Sequence, residues 1–202
     1  MGTSHKADPT LRQDAQRNRE RLLTVAVDAF TKDANASLGG IAKAAEVGIG
    51  TLYRHFPTRE ALIEAAYRNE LEKLCAAAPQ LLKQYPADEA IGRMMDRIID
   101  YMSIKRGMAE ALRAVVAAGG DPYNQSRARL TEAVALLLDA GKRQGLIRDD
   151  VEAADVLSMS FAFLNTADSR QAKRLASILV DGLRYRAPVV EKPRAPARKK
   201  RR

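Results

Sequence analysis

The chain has 202 residues, 46% hydrophobic and 5% aromatic, with one cysteine, two histidines and a net charge of +9. That length makes one large domain or one small and one medium domain, with apolar content enough for a real core. A lone Cys75 excludes an internal disulfide and a cysteine zinc site, and no apolar run approaches the roughly 20 residues of a membrane helix.

The N-terminus carries Arg12, Arg17, Arg19 and Arg21 and lacks the apolar core of a secretory signal, so the expectation is a soluble cytoplasmic protein. Residues 1–78 carry 11 Lys and Arg against 10 Asp and Glu, residues 79–187 carry 16 against 14, and residues 188–202 carry 7 against 1. Nearly all the excess charge therefore lies in the last fifteen residues. Overall basicity says little about a nucleic-acid partner, and a motif has to carry that reading.

Residues 1–15 are polar and predict a disordered arm. From Arg17 to about Lys32 an amphipathic helix is expected, with Leu22, Leu23, Ala26, Val27 and Phe30 on one face. Residues 33–36 read as a loop. Ser37 is a good N-cap, and Ile41, Ala42 and Ala45 at i, i+1 and i+4 suit a helix about two turns long. Glu46-Val47-Gly48 breaks the stripe. Ile49 to His55 predicts a second short helix with Leu52 and Phe56 facing inward, ended by Pro57. Thr58 caps the next helix. Two helices joined by a tight turn over about residues 37–56 form a helix-turn-helix, whose second helix enters the DNA major groove.

The helix from Thr58 shows Leu62, Ile63, Ala66, Tyr67, Leu71 and Leu74 and is expected to end before Pro79, with residues 80–87 as connector. Asp88 is the expected cap of a helix bearing Ile91, Met94, Met95, Ile98, Ile99 and Met102. Met108, Leu112, Val115 and Val116 mark a short helix ending at Gly119-Gly120. Asp121-Pro122 predicts the start of a long helix, and Gly145 its end. Two more helices are expected at about 152–167 and 169–186, then a disordered basic tail over 188–202. The fold class is all-α with about nine helices: a helix-turn-helix domain over 16–78 and a larger helical bundle over 79–187.

Gly50-Thr51-Leu52-Tyr53-Arg54-His55-Phe56-Pro57-Thr58-Arg59-Glu60-Ala61-Leu62 closely resembles the recognition-helix signature of the TetR family of transcriptional repressors. The match covers about the first 75 residues. Downstream, Arg113-Ala114-Val115, Asp121-Pro122-Tyr123 and the run from Gly145 to Val151 look like one C-terminal subclass of that family. One departure is Glu46, where the family usually has glycine; a non-glycine residue at positive φ costs about 1 kcal/mol.

The resemblance puts Gly50, Thr51 and Arg54 near base edges, and Tyr53, His55 and Arg59 near phosphates, with Ser37 and Gly39 completing the DNA-facing set. Arginine can pair bidentately with guanine and a threonine methyl can touch that of thymine. Other readings stand beside these: Tyr53 as a packing residue, His55 as a cation at a helix C-terminus, Arg59 as a solvated arginine, and Gly39-Gly40 as drift. The resemblance also implies a small-molecule effector site in the C-terminal helices. Met94, Met95, Ile98, Tyr101, Met102, Met108, Tyr123, Phe161 and Asn165 are its candidate lining, although a Met stripe at helical spacing is more often plain core. No ligand class follows from that set, and no metal or cofactor is expected.

A twofold dimer would read a palindrome with half-sites about 34–36 Å apart. The final two helices, with Ser158, Ser160, Ala162, Ala172 and Ala176 beside Leu and Ile, are the expected interface between copies. The function expected is a sequence-specific, ligand-responsive DNA-binding regulator. A non-specific architectural binder driven by the tail and a helical-bundle enzyme are the alternatives. The enzyme has little behind it, since no glycine fingerprint follows a strand and no Gly-x-Ser-x-Gly elbow occurs.

Overall fold

The apolar stripes of the sequence become helix faces that meet in one continuous core. A computed structural model describes residues 9–163 and 168–184, with side chains from residue 13 to 161 and from 168 to 184. Among the described residues there are nine helices and no strand: α1 Pro9–Lys32, α2 Leu38–Ala44, α3 Ile49–His55, α4 Arg59–Gln84, α5 Ala87–Gly107, α6 Ala109–Ala117, α7 Ser126–Arg143, α8 Ala153–Phe163 and α9 Ser169–Arg184.

Helix α4 organises the packing, lying against α1, α5, α6 and α7. Helix α5 is flanked by α4, α7 and α9 and also touches α1, while α8 bridges α7 and α9. Helices α2 and α3 join the molecule through α1: Leu22, Leu23, Ala26 and Phe30 are fully buried together with Leu52 and Leu62.

Four boundaries differ from the sequence-based expectation. Helix α1 starts at Pro9 rather than Arg17, so residues 9–15 are helix and not arm. Proline is tolerated in a first turn, and Leu11, Arg12, Gln13, Ala15 and Gln16 favour helix without any apolar stripe. The rest of the expected arm lies outside the described residues.

Helix α4 runs through Pro79 to Gln84, so the expected domain boundary and the first part of the expected connector fall inside a helix, leaving only Tyr85 and Pro86 between α4 and α5. Proline there removes one backbone donor and crowds the carbonyl four residues earlier. The buried face continues past it nonetheless, through Leu74, Ala77, Ala78 and Leu81, and this packing offsets the local cost.

Asp88 does not cap α5. Pro86 occupies the cap position without a side-chain bond, and Asp88 sits in the first turn, where its carboxylate accepts from Arg184 Nε at 2.9 Å. The start of α5 is held instead by Ala87 N–H donating to Gln144 Oε1, 3.1 Å. Asp121-Pro122 likewise starts a turn and not a helix: Asp121 Oδ1 accepts from Tyr123 N–H at 3.2 Å, and α7 begins only after Gln125. The aspartate side chain supplies the turn with a bond that competes with helix entry.

The ends of α6 and α7 lie at the expected glycines. After α6, Gly119 (φ 86°) places Gly120 N–H on Val115 O at 3.0 Å; after α7, Gly145 (φ 70°) places Leu146 N–H on Gly141 O at 2.9 Å. Both are left-handed closures that satisfy otherwise free carbonyls. Helices α8 and α9 occupy 153–163 and 169–184, and the expected extension of α8 over 164–167 lies outside the described residues, as does the tail.

The α7 closure folds fully buried Ile147 back over Gly141, where an added Cβ would stand 2.4 Å from Ile147 Cγ1. Gly141→Ala should therefore lower the unfolding free energy by about 1–3 kcal/mol in urea titration, as overpacked cores do.

Candidate nucleic-acid interface

The helix-turn-helix is built from local bonds. Ser37 Oγ accepts from Gly40 N–H at 3.0 Å and opens α2. The turn closes with Glu46 N–H on Lys43 O at 3.1 Å and Val47 N–H on Ala42 O at 2.9 Å. This is the closure that ends α6 and α7, but Glu46, at φ 55°, stands where those have glycine. Its carboxylate also meets Arg21 of α1 at 3.5 Å. Gly48 is the N-cap of α3, its carbonyl accepting from Thr51 N–H at 2.9 Å and Leu52 N–H at 3.1 Å. Thr58 Oγ1 accepts from Ala61 N–H at 3.1 Å and opens α4.

These bonds fix which face of α3 is free. Leu52 is fully buried and Phe56 nearly so, both in the core that Ile41, Ala42, Ala45 and Val47 share. On the other side Ile49, Gly50, Tyr53 and Arg54 are exposed, Tyr53 by 50%, at the spacing of one helix face. Thr51 and His55 flank that face half-buried, the His55 ring tilted on Phe56 at 6.1 Å. Arg54 and His55 lie in the last turn, beside the negative end of the helix dipole. Gly39 and Gly50 are both exposed, and an added Cβ at either would meet nothing within 4 Å. Packing inside the protein does not require glycine at these positions. Ser37 keeps a hydroxyl proton to donate while its oxygen caps α2.

Arg59 adds to the expectation. Its guanidinium donates to Ala36 O at 2.7 Å and to Ala34 O, with its carbon 4.9 Å from the centroid of the Phe30 ring. It pins the loop ahead of α2 to the start of α4, a structural role that stands beside the expected phosphate contact. The sequence signature placed the residue correctly and could not show its partners, which lie 23 and 25 residues away. Arg19 was also missed; it lies over Phe56 at 5.7 Å and brings an α1 cation to the rim of the motif.

In the C-terminal part, Met94, Met95, Ile98, Tyr101 and Met108 are buried in the continuous core. Met95 Sδ accepts from the Ser160 hydroxyl at 3.4 Å. Met102 and Phe161 are half-buried against that core, Tyr123 is 38% exposed, and Asn165 lies outside the described residues. Tyr101 and Tyr123 converge on Tyr67 of α4: the Tyr101 hydroxyl donates to the Tyr67 hydroxyl at 2.5 Å, and the Tyr123 ring meets Tyr67 edge-on at 5.6 Å. Burial pushes both Tyr67 and Tyr101 hydroxyls above the ordinary tyrosine pKa, so both are neutral donors. Lys105 and Ser126 border this cluster and escaped the sequence reading, because no motif spans α5 and α7.

Replacing Arg59 by lysine keeps the charge but cannot bridge two carbonyls. Arg59→Lys should cost about 1.5–3 kcal/mol of stability, read as a lower midpoint in urea. A purely phosphate-gripping arginine would leave that midpoint unchanged.

Comparison with known proteins fits this geometry. Residues 22–66 match the family model described as bacterial regulatory proteins, tetR family. Residues 86–185 match one described as transcriptional regulator SbtR-like, C-terminal domain. The crystal structure of the TetR transcriptional regulator SCO0520 from Streptomyces coelicolor is 46% identical, with a TM-score of 0.78, covering 84% of this chain and 99% of that one. A TetR transcription regulatory protein from Mycobacterium vanbaalenii is 32% identical, with a TM-score of 0.73, over 87% and 99%. The curated regulator UidR of Escherichia coli K12 is 25% identical over 185 residues, 86% of this chain and 93% of that protein. With a helix-turn-helix at its N-terminus and an SbtR-like helical domain behind it, the chain belongs to the TetR family of bacterial DNA-binding transcriptional regulators.

Proposed function

We propose that this protein is a cytoplasmic, nucleoid-associated homodimeric repressor that binds a palindromic operator through α3 and leaves it when a small-molecule effector enters the C-terminal helices. The single observation that carries the reading is the free face of α3: Gly50, Tyr53 and Arg54 stand outward together while Leu52 and Phe56 lock the other side into the core. Arg54 would read a base edge, Tyr53 and His55 would hold phosphates, and the glycines at 39 and 50 leave room for close backbone approach. The family is one of transcriptional regulators, which supports a regulatory over a catalytic reading.

The dimer surface we assign to α8 and α9. Met159 is 48% and Ile178 66% exposed, and they stand with Leu175, Leu179, Val151 and Leu183 in one apolar groove along the two helices. Large apolar side chains grouped like this are expected where another surface covers them. For coupling, α4 starts at Arg59 beside the helix-turn-helix and carries Tyr67 into the effector region. Helix α5 returns to α1, where an added Cβ at Gly107 would stand 2.3 Å from Thr31 Cγ2. A ligand that moves α4 or α5 must therefore press on α1 and reorient α3.

Selection of bound DNA from a random pool, with the full chain and with a chain ending at Ala187, should enrich one palindrome in both cases. Enrichment of nothing by either, with binding confined to the full chain, would leave the architectural reading driven by the tail. Arg54→Ala should relax base preference at one position by about 1–3 kcal/mol, whereas Tyr53→Phe should weaken binding to all sequences alike. Ile178→Asp should convert the dimer to monomer in sedimentation velocity and abolish operator binding with it; a dimer that survives would move the interface elsewhere.

A further inference from the structure

We propose that the effector site of this chain takes an organic carboxylate, its anionic end at Lys105, Ser126 and the start of α7 and its apolar body against the Tyr67, Tyr101 and Tyr123 rings. The proposal rests on the reading of the protein as effector-controlled and names the chemistry of that effector.

The carrying observation is an unsatisfied group. Ser126 is 8% exposed, and its hydroxyl is a buried polar group among the described residues with no hydrogen-bond partner. Its contact with the Tyr67 hydroxyl is that of a weak donor, enough to lower that hydroxyl's pKa but short of good hydrogen-bond geometry. A buried hydroxyl left like this costs about 1–3 kcal/mol, which a bound acceptor would recover.

The surroundings supply one cation and neutral hydroxyls, with the Asp121 carboxylate held by the Tyr123 N–H at 3.2 Å. Lys105, one helical turn after Tyr101, is half-buried with its ammonium 4.7 Å from the Tyr123 ring centroid. Burial lowers its pKa, and among the described residues no carboxylate stands within ion-pair distance of it. The neighbouring Glu72 is already paired with Arg129, 3.6 Å away. Tyr67 accepts the Tyr101 proton and retains its own. Ser126 is also the first residue of α7, an 18-residue helix without a side-chain cap; its own N–H is taken by Tyr123 O at 3.0 Å, and the positive end of the helix dipole favours an anion there. Gln125 before it is held at φ 60°, a strained conformation for a non-glycine residue, and such strain concentrates at ligand sites. One cation with neutral donors and three rings suits a single negative charge on an apolar body better than a dianion.

The test uses the full-length dimer and four pairs of probes: acetate, hexanoate, benzoate and 1-naphthoate, each beside its neutral amide. Calorimetry gives the affinities, and since three of the six tyrosines lie in the cluster and there is no tryptophan, tyrosine emission gives a second readout with the non-aromatic probes. At least one of the larger carboxylates should bind saturably and about tenfold or more tighter than its amide. Lys105→Gln should abolish that preference and Ser126→Ala should weaken it, each with an unchanged circular dichroism spectrum. Equal binding of acid and amide, binding of no acid, or a preference that survives Lys105→Gln overturns the proposal. Release of the selected operator is followed separately. A carboxylate that binds through Lys105 without weakening DNA binding would sink the effector reading and leave the anion site. An amide that releases DNA while no acid does would sink the anion site and leave the effector reading.

Discussion

The buried face of α4 is the constraint on which the rest of the protein depends. It starts beside the reading helix at Arg59, buries Leu62, Ile63 and Ala66 in the first half, and continues through Tyr67, Leu71 and Leu74 into a second set of neighbours. At about 1.5 Å per residue a helix of 26 residues is roughly 39 Å long. One rigid element thus belongs to both the DNA-binding and the C-terminal parts, and it stays helical through Pro79 because packing on both sides outweighs one lost hydrogen bond. The two parts cannot move independently unless that helix moves.

The small end of the molecule is held by few contacts of high value. Helices α2 and α3 have seven residues each, too short to be stable in isolation. They persist because Ser37, the turn at Glu46, Gly48 and Thr58 satisfy their ends, and because Leu52 and Phe56 reach the α1 core. Arg59 adds a tie of another kind, joining the loop before α2 to the start of α4 across Phe30. The outward face of α3 is then free to carry residues chosen for contact rather than for packing.

The larger end shows the reverse arrangement. Met94, Met95 and Ile98 pack as an ordinary core, while the polar groups gather on one side, where Tyr67, Tyr101, Tyr123, Lys105 and Ser126 meet. Such a cluster is costly to bury unless something completes it. It involves α4, the helix that also leads to the helix-turn-helix.

What the amino-acid order determined by itself was everything governed by bonds between near neighbours. The caps at Ser37 and Thr58, the glycine closures after α6 and α7, the two short helices and the inward side of α3 all depend on residues within about five positions of one another. The family signature rests on that same local run. Tertiary structure decided what sequence separation hides. It turned Arg59 onto carbonyls 23 and 25 residues away, carried α4 through a proline, tied α5 to the end of α7 through Gln144, and set an α5 lysine over the Tyr123 ring. A side chain's spacing along a helix fixes the face it lies on. Which groups oppose that face depends on how helices distant in sequence pack together.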